Sequence, residues 1–250
     1  MTGAFLLLGC QSSVEARPTP VQVTPTPSHF SVLAFSRTTG FRHDAIPAAI
    51  DLVRKLGAET GFDVTATEDP NTFSDLSLAS FKVVVFLLTT GTVLDLDQRA
   101  AFERFVRRGG GFVGVHSAAD TEYNWPWYGL LLGAWFRAHP AIQQATVNVD
   151  DATHPSTVHL STPWIRTDEW YEFRSNPRPY VHVLLTVNET TYKGGGMGAD
   201  HPIAWCHEFD GGRSWYTALG HSKDSYAGDE AFASHLAGGI AWSSGGPGQC

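Results

Sequence analysis

Long apolar runs are missing from this 250-residue sequence. None approaches the ~20 residues that a membrane-spanning helix needs. Runs of Lys or Arg are missing as well, and 17 Lys+Arg against 25 Asp+Glu leave a formal charge of −8. That balance argues against a nucleic-acid surface. Cysteine is scarce. Cys10, Cys206 and Cys250 do not make a disulfide framework, and without a CxxC pair a thiolate zinc site is not expected. No HxH or HExxH spacing occurs. What the chain does have is eight Trp, seven Tyr, fifteen Phe and eleven His. With 42% hydrophobic and 17% charged residues it has the profile of a folded domain large enough for a real core. Aromatic walls and imidazoles favour small-molecule chemistry over scaffolding.

Residues 4–9 (AFLLLG) end at Cys10, and Leu7-Leu8-Gly9-Cys10 reads as a lipobox, cut before a Cys that carries diacylglycerol. Met1-Thr2-Gly3 lacks the basic n-region of a signal peptide, as a start codon assigned too late would leave it. Residues 11–28 are rich in Pro, Thr and Ser without periodicity, which suits a polyproline-like tether. The expected organisation is a lipoprotein signal remnant and tether over 1–29 and one α/β domain over 30–245. The expected location is the bacterial cell envelope, extracytoplasmic or periplasmic, touching the membrane only through the anchor. If Cys10 is acylated, Cys206 and Cys250 are left to pair in an oxidising compartment, which spacing alone does not decide.

Along the domain, short apolar runs alternate with amphipathic segments. Strands are expected at 31–36, 62–67, 82–88 and 111–116, and helices at 44–60, capped by Asp44 and stopped by Gly61, and at 95–107. The second helix has an acidic first turn and a basic last turn, matching its dipole. This rhythm implies right-handed crossovers and an open, doubly wound, mostly parallel sheet of the flavodoxin-like kind. The second half is less regular, with strands expected at 145–149, 180–187, 203–209 and 214–218 and a last helix at 229–242. Gly109–Gly114 satisfies GxGxxG but precedes a strand instead of opening a helix, so NAD binding is rejected.

In open α/β sheets the ligand crevice lies outside the carboxyl ends of the strands. The segments placed there contain Thr39, Arg42 and His43, then Thr90, then His116 and Asp120. His116 directly follows GFVGV, where a core residue would be apolar. Three His-Pro pairs, at His139, His154 and His201, each fix an imidazole at a turn. Asp168-Glu169-Trp170-Tyr171 puts carboxylates beside aromatics, and His221 ends another strand. Residues 123–135, with Tyr123, Trp125, Trp127, Tyr128 and Trp135, suit either a sugar-binding wall or a lid packed on the body.

Together these pieces resemble the ThuA-like (trehalose-utilisation) family. The resemblance rests on Gly40-Phe41-Arg42-His43, the run 109–120 (GGGFVGVHSAAD), Leu131-Leu132-Gly133 with Phe136 and His139-Pro140, Asp168-Glu169-Trp170-Tyr171, His201-Pro202-Ile203-Ala204-Trp205, and Gly212-Arg213 through Gly220-His221. It spans about 31–243. It implies a fold like that of class I glutamine amidotransferases, in which a Cys sits in the tight turn after the strand matching 111–115. His116 holds that place here and Cys206 lies far off, so amidotransfer through a thiol ester is not expected.

The resemblance further implies a role in utilising trehalose or related disaccharides through 3-keto sugars. The expected function is a carbohydrate-processing enzyme acting on a disaccharide or glycoside, or its 3-keto form, by hydrolysis, elimination or isomerisation. Chemistry beside a ketone needs a base and an acid near neutral pH. His116 is assigned as base or metal ligand, with Glu169 and His221 as acid or co-ligands. Thr39, Arg42, His43, Thr90, Asp120, Tyr123, Trp125 and Tyr171 are assigned to substrate. A divalent metal, zinc or similar, would sit on His43, His116 and His221. The alternative is a non-catalytic carbohydrate-binding envelope lipoprotein, which needs the aromatic wall but not three converging histidines. A two-carboxylate glycosidase is excluded, because adjacent Asp168 and Glu169 would point to opposite faces of a strand.

Overall fold

The structure is a computed structural model that describes residues 1–3 and 29–250. The lipobox, Cys10 and the tether lie outside the described residues. The domain opens with β1 (Phe30–Phe35), α1 (Ile46–Thr60) and β2 (Phe62–Thr67), then α2 (Asp75–Leu78), β3 (Val83–Leu87), α3 (Leu96–Arg107) and β4 (Gly111–Val115). It continues through α4 (Pro126–Leu132), β5 (Phe136–Ala138), β6 (Gln143–Val149), β7 (Trp164–Asp168), β8 (Glu172–Phe173) and β9 (His182–Asn188). It ends with β10 (Pro202–Phe209), β11 (Gly212–Thr217), α5 (Lys223–Ala227) and α6 (Glu230–Ser243).

Nine strands form one sheet in the order β2-β1-β3-β4-β11-β10-β9-β6-β7, while β5 and β8 pair as a separate ribbon. The first five are parallel, and every residue of β3 and β4 is buried, as their unbroken apolar composition requires. From β11 outward the pairing is antiparallel. The second half of the chain therefore widens the same sheet, as a mixed extension of the doubly wound core. Helices α1 and α6 pack together on one face, and α3 contacts α2. No helix among the described residues is long and apolar enough to cross a membrane.

Local chemistry accounts for most boundaries. Asp95 caps α3 in a capping box with Gln98, and Asp229 caps α6 through the Phe232 amide. Gly61 ends α1 in the left-handed conformation at φ 92°. Gly109, at φ 87°, follows the end of α3, and β4 begins at Gly111, so the GxGxxG match is a helix stop that leads into a strand. One expectation is corrected. Asp44 does not cap α1, which starts at Ile46 with Pro47 in its first turn, and the Asp44 carboxylate instead pairs with Lys223 at 2.8 Å. Cys206, fully buried in β10, forms a disulfide with Cys250 and so presents no free thiol.

Candidate active site

Four chain segments meet at the carboxyl ends of the parallel strands. The loop after β1 supplies His43, the turn after β4 supplies His116, the end of β7 leads into Glu169, and the loop after β11 supplies His221. Their ligand atoms lie within 4.8 Å of one another. His116, Glu169 and His43 are buried, and His221 is partly exposed.

His116 is the best-fixed member. It has a left-handed backbone at φ 51°, rare for a residue with a Cβ and a strain of about 1–3 kcal/mol that the surroundings must hold in place. Its Nδ1 lies 2.7 Å from the Ala218 carbonyl, which only accepts, so Nδ1 donates and Nε2 is the nitrogen turned toward the cluster. Tyr171 lies against the same ring at 4.2 Å between centroids, and Phe136 backs Tyr171 at 4.2 Å. His116 Nε2 is 3.3 Å from His221 Nδ1 and 3.4 Å from Glu169 Oε2, and His221 Nδ1 is 3.1 Å from Glu169 Oε2. Three lone-pair atoms this close need a positive charge among them, a proton or a metal ion.

The electrostatics follow that geometry. Burial, then the neighbouring imidazoles, lower the His43 pKa to about 3, so it is neutral. The Glu169 carboxylate raises that of His221. Burial works against ionisation of Glu169, yet the His116 and His221 imidazoles beside it hold the carboxyl well below the usual range. His139 Nδ1 reaches the other Glu169 oxygen at 3.2 Å, and Ser117 Oγ is 3.4 Å from His43 Nδ1. The Asp168 carboxylate is turned to other partners, the Glu169 amide among them. It pairs with Arg166 and accepts from the Gly220 and His221 amides, which sets the loop that carries His221.

The other assigned residues divide. Asp120 and Tyr123 form one unit at 2.7 Å, with burial raising the Asp120 pKa. Thr39 bonds the Thr90 and Thr92 carbonyls, and buried Thr90 donates to the Phe41 carbonyl, so both hydroxyls are used in holding the loops together. Two expectations are corrected. Arg42 is paired with Glu68 at 2.7 Å, beyond the end of β2, and not with the cluster. Trp125 is buried, stacked on Trp127 and Tyr128, with its indole donating to Glu103. The aromatic segment is thus packed on the body, and Trp125 lines no sugar wall. Three residues at the site went unassigned in the sequence: His139, Phe136, and Phe41, an exposed ring edge-on to His43 at 4.9 Å. Each lies in a quoted motif, yet only tertiary contact separates them from neighbours such as Arg42.

Against known proteins, the profile of the family described as Trehalose utilisation (ThuA) matches residues 31–243. No curated protein matches the chain. Among solved structures, a ThuA-like protein from Bacteroides uniformis is 27% identical, with 85% of this chain and 90% of that one covered and a TM-score of 0.72. A ThuA-like protein from Parabacteroides merdae is 20% identical over 88% and 92%, with a TM-score of 0.70. A β-galactosidase from Bacillus circulans sp. alkalophilus shares the fold alone, at 14% identity over 85% of this chain and 31% of that chain, TM-score 0.52. With its profile matched across nearly the whole domain, the chain belongs to the trehalose-utilisation (ThuA) family, a carbohydrate-related one.

Proposed function

We propose that the chain is an enzyme that processes a disaccharide or glycoside, or its 3-keto form, by hydrolysis, elimination or isomerisation at the His43–His116–Glu169–His221 cluster. The observation that carries this is the convergence of three imidazoles and a carboxylate from four separate segments on one point. A purely binding surface has no use for that arrangement. His116 Nε2, aimed inward, is assigned as the base for an acidified C–H proton beside a ketone. His221, whose pKa the Glu169 carboxylate raises, is the matching acid for a leaving or carbonyl oxygen. Asp120 with Tyr123, and Tyr171 beside His116, are assigned to substrate hydroxyls.

The cluster also fits a divalent metal such as zinc, with His43, His116 and His221 as ligands and Glu169 as the carboxylate donor. Ligands ~2.1 Å from a tetrahedral zinc lie ~3.4 Å apart; the spacings among His116, His221 and Glu169 are 3.1, 3.3 and 3.4 Å, and His43 lies within 4.8 Å of them. The bond from His116 Nδ1 to a backbone carbonyl is the outer-shell support a metal-bound imidazole takes. Bound there, a metal would polarise a carbonyl oxygen. The test is to assay the purified protein on trehalose and on its 3-keto form, before and after chelation, with metal analysis of both samples. Turnover of the keto sugar is expected: loss on chelation and return with zinc would make His116 and His221 metal ligands, and turnover a chelator leaves unchanged would make them base and acid. No turnover of either sugar, in metal-loaded protein, overturns the enzyme reading.

Envelope anchoring through Cys10 belongs to the same proposal. The Cys206–Cys250 disulfide supports it, since such bonds persist in oxidising compartments. A palmitate analogue should label the parent and not Cys10→Ser, and equal labelling of both would sink the idea.

A further inference from the structure

A groove of about 690 Å³ touches the cluster at His221 and lies between β7 and the α5–α6 corner. That volume is in the range of small-ligand sites, roughly 300–1,000 Å³, and the chemistry assigned above does not use it. Its floor is Arg166. The guanidinium lies over the Trp164 ring at 4.7 Å and the Phe232 ring at 5.2 Å, pairs with Asp168 at 2.9 Å and Asp229 at 3.0 Å, and donates to Ser225 at 2.9 Å. A cation held this way is part of the wall and is not free to capture an anion. With Asp224 also in the lining, three carboxylates stand against the Arg166 guanidinium and the His221 ring, which leaves no excess positive charge for an anionic ligand.

The lining is amphipathic as well. Ile142 and Ile165 stand 51% and 58% exposed, an apolar surface left open to solvent. Thr167, Asp224 and Ser222 add polar groups, and the Ser222 hydroxyl is not spent on capping α5. Apolar contact with a few placed polar groups is what an uncharged sugar ring, with its C–H faces and hydroxyl edge, requires. Resting on the carbohydrate reading of the cluster, we propose that the groove is a second sugar subsite. It takes the non-reacting, uncharged ring of a disaccharide whose reacting ring lies over His116 and His221.

The test fills the groove from either wall in the full chain, with Ile165→Trp and Ala227→Trp. Both positions are exposed, so folding should survive, and circular dichroism checks it. Calorimetry uses trehalose as the probe, and kinetics compare 3-keto-trehalose with methyl 3-ketoglucoside. Each Trp should weaken trehalose binding about tenfold or more, about 1.4 kcal/mol. The same substitution should lower the ratio of kcat/KM for the disaccharide over the methyl glycoside by a similar factor. A parent that does not bind trehalose, or variants that bind it as the parent does, would overturn the subsite. Trehalose binding that both Trp residues block, in a parent that turns over neither keto sugar, keeps the subsite and removes the enzyme reading instead.

Discussion

His116 combines features that serve function and not packing. A left-handed backbone at a residue with a Cβ costs stability, and here it lets one ring touch Ala218, Tyr171, Glu169 and His221 at once. The Ala218 carbonyl fixes the tautomer, so the inward nitrogen is available as a base or ligand without rearrangement. His116→Ala should cut turnover by about 10²–10⁴ if its role is general base. His116→Gln keeps bulk and a polar end but exchanges no proton, so it should be nearly as inactive. Both keep a Cβ and therefore the same backbone strain, and circular dichroism checks that they fold. Parent-like turnover in two folded variants would make His116 structural and leave the mechanism without its base.

Among the elements, α6 shows how close approach decides a substitution that helix propensity would misjudge. Gly238 lies in mid-helix, where Ala is favoured by about 1 kcal/mol. A Cβ there, however, would come within 2.4 Å of the Pro155 carbonyl oxygen and 2.5 Å of Ser156 Cα. These are backbone atoms, so no side chain can swing away, and overpacking of this kind costs about 1–3 kcal/mol. Gly238→Ala should therefore lower the urea midpoint, and a raised midpoint would show that α6 can shift outward at little cost. Such contacts are invisible in the sequence, where Gly238 reads only as a weak helix residue. The parallel half was legible, because buried strands such as β3 carry continuous apolar runs and their helices an apolar stripe. The β5–β8 ribbon was not, since Phe136–Ala138 and Glu172–Phe173 are too short for any period to show. Asp44 misled for a related reason: a residue suited to capping is drawn to Lys223 once α5 is in place.

Across the whole molecule, the site was legible where topology dictates it and illegible where burial does. The rule that strand carboxyl ends bear the ligand brought His43, His116 and His221 together before any coordinates. It could not tell that Trp125 is core, because an aromatic run has one signature whether it faces sugar or packs on Phe102. The same hidden quantity, burial, sets the acid stability of the fold. Outside the cluster, His235 and His154 are buried and neutral, with pKa values lowered to about 3 and about 4, mainly by burial. His235 Nδ1 donates to the Ser156 carbonyl, leaving Nε2 to accept from the Thr217 hydroxyl, so a second proton has no place. Unfolded, both rings titrate near 6.5. Between that value and the folded ones the unfolded chain binds more protons, so stability is full above about pH 6.5 and drains away as the pH falls. Each ring contributes a slope of about 1.4 kcal/mol per pH unit in that window. The carboxyls of Asp75 and Asp151, lowered to about 2 by their Arg and by their Thr and His partners, add their loss only below about pH 4. Urea denaturation between pH 7 and 4.5 should thus show falling stability well above the carboxylate range. In His235→Gln the slope should drop by about one ring's share. An unchanged slope in that variant would mean that His235 is protonated in the folded state, and that Thr217 or water has turned to accept from it.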